Sequence, residues 1–137
     1  MKAFVLDASV TLGWMLDRPV PARSSQARNL ILSGATPVIP VHWNHEVSNA
    51  IVMAERRGRL TASQVATVAA DLEDFMQVVE VESLAVRATV LIATARRTFL
   101  TVYDAAYLEL ASRRRLPLAT LDDKLWQAAR RAGLELI

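Results

Sequence analysis

The chain predicts an α/β fold of three layers, α/β/α, with helices covering both faces of a central parallel β-sheet. Three observations carry this. Short apolar runs of strand type alternate with helical patterns along the chain. The apolar fraction is 53%, which suits strands buried on both faces. No linker, internal repeat or low-complexity tract interrupts the 137 residues, so a single domain spanning 1–137 is expected.

The elements follow in order. "AFVL" (Ala3–Leu6) reads as a short buried strand running into Asp7 and a helix around Val10–Leu16. The prolines of Asp17–Pro21 end that helix. A second helix spans Ala22–Leu32 and stops at Ser33-Gly34. "PVIPV" (Pro37–Val41) is the next strand, with Pro40 near its end. A helix from Asn44 to Arg57 is closed by Gly58, and Thr61 to Gln64 has the spacing of a capping box opening a helix to Phe75. "QVVEV" (Gln77–Val81) alternates polar and apolar residues, as an edge strand does. Ser83 is placed to cap a helix to Arg97, and "FLTVYD" leads into a helix from Asp104 to Arg114. "LPLATL" (Leu116–Leu121) is a strand, Asp122 and Asp123 begin the last helix, Gly133 ends it, and "LELI" closes as a strand. Connections between such strands should cross over right-handed.

Composition excludes several classes. No stretch approaches the roughly 18 uninterrupted apolar residues of a membrane span. "MKAFVLDASV" reads as a strand rather than a signal peptide. The absence of Cys removes disulfides and thiolate metal sites, and a cytoplasmic location is the default expectation. Lys2 and Lys124 are the only lysines, and the arginines cluster at 56, 57 and 59, at 96 and 97, at 113 to 115, and at 130 and 131. Arginine suits bidentate phosphate contacts, but each cluster falls in the last turn of a predicted helix, where cations complement the macrodipole.

Four acids carry the chemistry. Asp7, Glu46, Asp104 and Asp122 each lie at or near the start of a predicted helix, where an open α/β sheet gathers its ligands. Each Asp alone can be read as a helix cap. Glu46 fits that reading poorly. It lies beside the core-facing stripe of Val47, Ala50, Ile51 and Ala54, and Trp43 stands where a capping-box Ser or Thr belongs. If the first strand is central, Asp7 sits at the switch point and Glu46 and Asp122 arrive from either side. Converging carboxylates need a cation, and oxygen-only ligands suit Mg²⁺ or Mn²⁺, one ion or two. A metal-dependent phosphodiester hydrolase is the expected chemistry. His42 and His45 flank this region without H-E-x-x-H spacing, so a zinc site is not favoured. Glycine-rich nucleotide loops and a nucleophile elbow are absent.

"FVLDASV", "PVHWNHEVSNAI", "LTVYDAAYLELA" and "LPLATLDDKLWQAARRAGLEL" together resemble the PIN-domain family, in particular the VapC-type toxin ribonucleases of toxin–antitoxin pairs. The resemblance spans the whole chain. It implies an endoribonuclease in which Asp7, Glu46, Asp104 and Asp122 hold Mg²⁺ or Mn²⁺, with Ser9 and Thr120 as small polar residues lining the pocket. Asp123 doubles the last acid, so either it or Asp122 is the fourth. The resemblance further implies an RNA substrate, a homodimer and an inhibitory antitoxin protein. Trp14, Met15, Leu16, Trp43 and Met53 are candidates for an apolar groove taking an antitoxin helix, although large apolar residues at helical spacing are more often core. Two rival readings are a catalytically inactive interaction domain of the same fold and a haloacid-dehalogenase-type phosphatase. The phosphatase would want a second Asp where Ser9 stands.

Overall fold

A computed structural model describes all residues, 1–137. The elements are β1 (Ala3–Leu6), α1 (Ala8–Leu16), α2 (Ala22–Leu32), β2 (Thr36–Ile39), α3 (Trp43–Arg56), α4 (Ala62–Phe75), β3 (Glu80–Val81), α5 (Ala88–Thr98), α6 (Val102–Arg114), β4 (Leu118–Ala119) and α7 (Asp123–Arg131). The four strands form one parallel sheet in the order β3-β2-β1-β4. On one side α1 packs on α2 and α3, and α3 on α4. On the other, α6 packs on β1 and β4 and against α5 and α7.

The order of strands follows from their composition. Phe4, Val5 and Leu6 of β1 are wholly buried, as an inner strand flanked on both edges requires. Both residues of β3 are exposed, and β3 lies at the sheet edge that its alternating sequence predicts. The register pairs Leu6 with Ala119, so the next residues, Asp7 and Thr120, emerge side by side at the carboxyl ends of β1 and β4.

Several boundaries differ from the sequence reading. Pro40 lies just beyond β2, since its nitrogen cannot donate to the ladder. The "LPLATL" strand is regular over only Leu118 and Ala119, and "LELI" makes a single parallel bridge from Leu136 to Leu118. That bridge is held by Leu118 N–H to the Glu135 carbonyl at 3.0 Å and Ile137 N–H to the Leu118 carbonyl at 3.1 Å. Ser83 caps nothing. Helix α5 begins at Ala88, after Arg87. The Glu82 carboxylate takes the Leu84 N–H at 3.0 Å and pairs with Arg113, which holds this stretch in a loop. The Thr61–Gln64 capping box is present with both of its hydrogen bonds.

Trp43 belongs to the core. It is fully buried, with its ring 5.9 Å from that of Phe75, so it is not part of an exposed groove. Trp14 meets the same Phe75 edge-on at 5.5 Å but remains partly exposed.

One glycine sets a helix–helix distance. A Cβ on Gly13 of α1 would lie 2.2 Å from the Oγ of Ser24 and 3.2 Å from its Cβ, and Ser24 is fully buried in α2. Gly13→Ala should therefore destabilise the protein by about 1–3 kcal/mol despite alanine's better helix propensity. Urea denaturation checks this. Adding Ser24→Gly should recover most of the loss, and an unchanged midpoint for the single variant would mean that Ser24 swings aside without strain.

Candidate active site

Asp7 occupies the N-cap position of α1, yet its side chain makes no capping bond. It is only 4% exposed. Instead, its Oδ2 accepts two hydroxyls, Ser9 Oγ at 2.6 Å and Thr120 Oγ1 at 2.7 Å. Both hydroxyls are themselves aimed. The Leu121 N–H donates to Ser9 Oγ and the Asp122 N–H to Thr120 Oγ1, each at 3.0 Å, which steers the hydroxyl protons onto Asp7. No protein donor reaches Oδ1. Burial, helped by the charges of Glu46 and Asp104 and partly offset by the two hydroxyls, pushes the Asp7 carboxyl up to about 6.

Glu46 lies in the first turn of α3, half-buried. Its Oε1 accepts the Tyr107 hydroxyl at 2.6 Å, and His42 Nε2 stands 3.2 Å away. The same Nε2 is 3.1 Å from the Tyr103 carbonyl. Both of its neighbours are acceptors, so Nε2 carries a hydrogen. Burial opposes ionisation of Glu46, but the bonds from His42 and Tyr107 outweigh it and hold the carboxyl below its ordinary range. Tyr107 is itself fully buried in α6. Burial and the negative charges of Asp7 and Glu46 push its phenol far up, so it stays a neutral donor.

Asp104 sits in the first turn of α6, where its N–H donates to Thr101 Oγ1 at 3.2 Å. Burial and the charges of Asp122 and Glu46 raise its carboxyl. Asp122 behaves as the simpler reading expects. Its Oδ1 accepts the Leu125 N–H at 2.8 Å and caps α7. Asp104, Asp122 and Asp123 line one cleft of about 420 Å³ with Phe99, Leu100, Thr101 and Lys124. Asp123 is exposed, and the acid whose charge Asp104 feels is Asp122.

The four acids thus share one electrostatic neighbourhood, but as the side chains stand no three Asp, Glu or His groups are close enough to hold one ion. The ready-made cage expected from the sequence is not there. Three of the acids are tied nearby instead, Asp7 to two hydroxyls, Glu46 to Tyr107 and His42, and Asp122 to its own helix.

The PIN domain profile matches residues 4–131. The chain belongs to the PIN-domain family. Its PIN domain is similar to Ribonuclease VapC3 of Mycobacterium tuberculosis, with 33% identity over 135 residues covering 94% of this chain and 91% of that protein. Among solved structures it resembles PAE2754 from Pyrobaculum aerophilum, with a TM-score of 0.74 and 21% identity over 98% of this chain and 89% of the other. It also resembles VapBC2 from Rickettsia felis bound to a DNA fragment from their promoter, with a TM-score of 0.65 and 13% identity over 98% and 97%. Those two likenesses establish the fold.

The donor chemistry of this PIN domain fits a hard divalent cation. The available atoms are all oxygens, and Asp7 Oδ1, Glu46 Oε2 and Asp122 Oδ2 take no hydrogen bond from the protein. His42 is committed to Glu46 and a carbonyl, and His45 is exposed. Sequence reasoning missed Tyr107. The signal was present, because Asp104 and Tyr107 are three apart and share one face of α6. Arg56, Arg96, Arg97, Arg113, Arg114, Arg130 and Arg131 do sit in last helical turns, whereas Arg57 and Arg115 are C-cap residues and Arg59 lies beyond α3. Arg113 and Arg114 pair with Glu80, Glu82 and Glu109, a structural use. No helix is long and apolar enough to cross a membrane.

Proposed function

We propose that this PIN domain is a metal-dependent endoribonuclease and the toxin of a toxin–antitoxin pair. One observation supports this most. Asp7 is a buried carboxylate with one oxygen held by two aimed hydroxyls and the other left open, in the field of Glu46 and Asp104. A buried charge without a partner is costly, and a site that needs a cation has reason to keep one. The relative named as a ribonuclease, similar over nearly its whole length, supports RNA as substrate.

In this reading Asp7, Asp104 and Asp122 hold Mg²⁺ or Mn²⁺. Bound there, the cation supplies an acidified water and positive charge for the phosphate. Glu46, fixed through Oε1, presents Oε2 either as a further ligand or as the base that orients the attacking water. Ser9 and Thr120 hold Oδ2 of Asp7, which leaves Oδ1 free of protein donors for the cation. The haloacid-dehalogenase reading is disfavoured, since Ser9 donates to Asp7 where that chemistry needs a second acid.

The antitoxin is proposed to engage the cavity of about 750 Å³ between α1, α2 and α4, where Trp14, Met15 and Phe75 are joined by Arg18 and Arg28. Leu16, Trp43 and Met53 do not line it. The working unit is proposed to be a homodimer in the cytoplasm, which light scattering of the purified protein tests for mass.

The purified protein should cut single-stranded RNA with added Mg²⁺ or Mn²⁺ and stop when EDTA is added. Mn²⁺ should also raise its melting temperature at pH 7.5. Turnover that persists after thorough chelation would exclude the metal role. No cleavage of any cellular RNA, with no stabilisation by Mn²⁺, would favour the inactive interaction domain.

A further inference from the structure

Phe99 breaks two local rules at once. It closes α5 in the left-handed conformation, with φ 58° and ψ 25°, a position that glycine takes without a Cβ clash. Its side chain is also 92% exposed, the highest value among the large apolar residues on the surface. Within the molecule no aromatic ring stacks on it. A residue that is unfavourable in backbone and in hydration points to a contact made outside the folded chain.

Its position says which contact. Phe99 lines the cleft that holds Asp104 and Asp122, together with Lys124. With Arg97 it also lines the adjoining cavity. The backbone beneath it is tied down on both sides. Thr98 Oγ1 bonds the Thr94 carbonyl at 2.7 Å, Leu100 is buried, and Thr101 caps α6. The ring is therefore presented from a rigid support at the lip of the acidic site. Aromatic faces so placed stack unpaired bases, whatever the base, because every base has a π-face. A second copy of the chain seated on this ring would have to bury Asp122, Asp123 and Lys124 beside it, and charged residues are depleted from the centre of such interfaces.

We propose that Phe99 is the stacking platform for an unpaired base of single-stranded RNA beside the scissile phosphate, with Lys124 and Arg97 placed for the flanking phosphates. This rests on the ribonuclease reading and adds to it a residue that would contact the base.

Fluorescence anisotropy with a short labelled single-stranded RNA tests it in the Asp7→Asn background, so that the probe is not cut. Adding Phe99→Gly should weaken binding about tenfold, while the melting temperature does not fall because glycine relieves the left-handed strain. Adding Phe99→Trp instead should keep the affinity, and a duplex of the same sequence should bind more weakly than the single strand. The mass by light scattering should be the same for all variants. Equal affinity for Phe99→Gly and its parent would overturn the platform alone. So would a drop from dimer to monomer in Phe99→Gly, which would make the ring a subunit contact. A parent protein that binds no RNA at all would sink the ribonuclease reading and the platform with it.

Discussion

Asp7→Asn should abolish RNA cleavage, by about a thousandfold or more, and yet yield a more stable protein in the absence of metal. The loss follows because Asp7 keeps one oxygen free of protein donors in the field of Glu46 and Asp104. The gain follows from its burial. A carboxyl whose folded pKa lies above its unfolded value stabilises the fold while protonated. For Asp7 that contribution is complete below the ordinary 3.8 and is lost as pH rises through about 6. Keeping it ionised at neutral pH costs about 3 kcal/mol. Asn has the same shape, accepts the Ser9 and Thr120 hydroxyls and carries no charge. Metal-free wild type should therefore lose stability between about pH 4 and pH 6, whereas Asp7→Asn should lack that step and melt higher at pH 7.5. Mn²⁺ should narrow the gap by stabilising wild type alone. Parallel melting curves for the two proteins from acid to neutral pH would show that the buried charge is not the cause.

Tyr107→Phe should lower kcat about 10- to 100-fold with little change in KM for RNA. Phenylalanine fills the same fully buried space in α6, so the core should persist. What is removed is the 2.6 Å hydrogen bond to Glu46 Oε1, leaving His42 alone to hold that oxygen. Glu46 is held below its ordinary range by these donors, so losing one should raise it and move the acid limb of the pH–rate profile to higher pH. The same donors contribute stability that is present above the ordinary 4.5 of the glutamate and is lost as pH falls through its lowered folded value. The variant should thus be less stable than wild type at pH 7, with the difference vanishing in acid. A wild-type pH profile in Tyr107→Phe would make the tyrosine a packing residue only.

Much of the fold is legible in the chain because its signals are local. The apolar run Ala3–Leu6, the prolines after α1, the glycines after α2 and α3 and the Thr61–Gln64 capping box each act within a few residues, and each stands where the pattern places it. The errors cluster where a distant partner decides. The loop after β3 is held by Arg113, and "LELI" can pair only over the short regular length of β4. Trp14 and Trp43 look alike in sequence. Both rings meet Phe75, and only the packing of the helices around them seals Trp43 in the core and leaves Trp14 on a cavity wall.

The sequence by itself determined the alternation of strands and helices and which acids stand at helix starts beside strand ends. These depend on periodicity and on residue chemistry read along the chain. Tertiary structure alone decided what Asp7 and Glu46 do there. Asp7 is tied across the sheet to Thr120 and Glu46 is fixed by a tyrosine from another helix, whereas Asp122 makes the local cap that its position in the chain allows. The reason is physical. A carboxylate's hydrogen bonds, burial and neighbouring charges arise from groups up to a hundred or so residues away, brought within a few ångströms by the parallel register of β1 and β4.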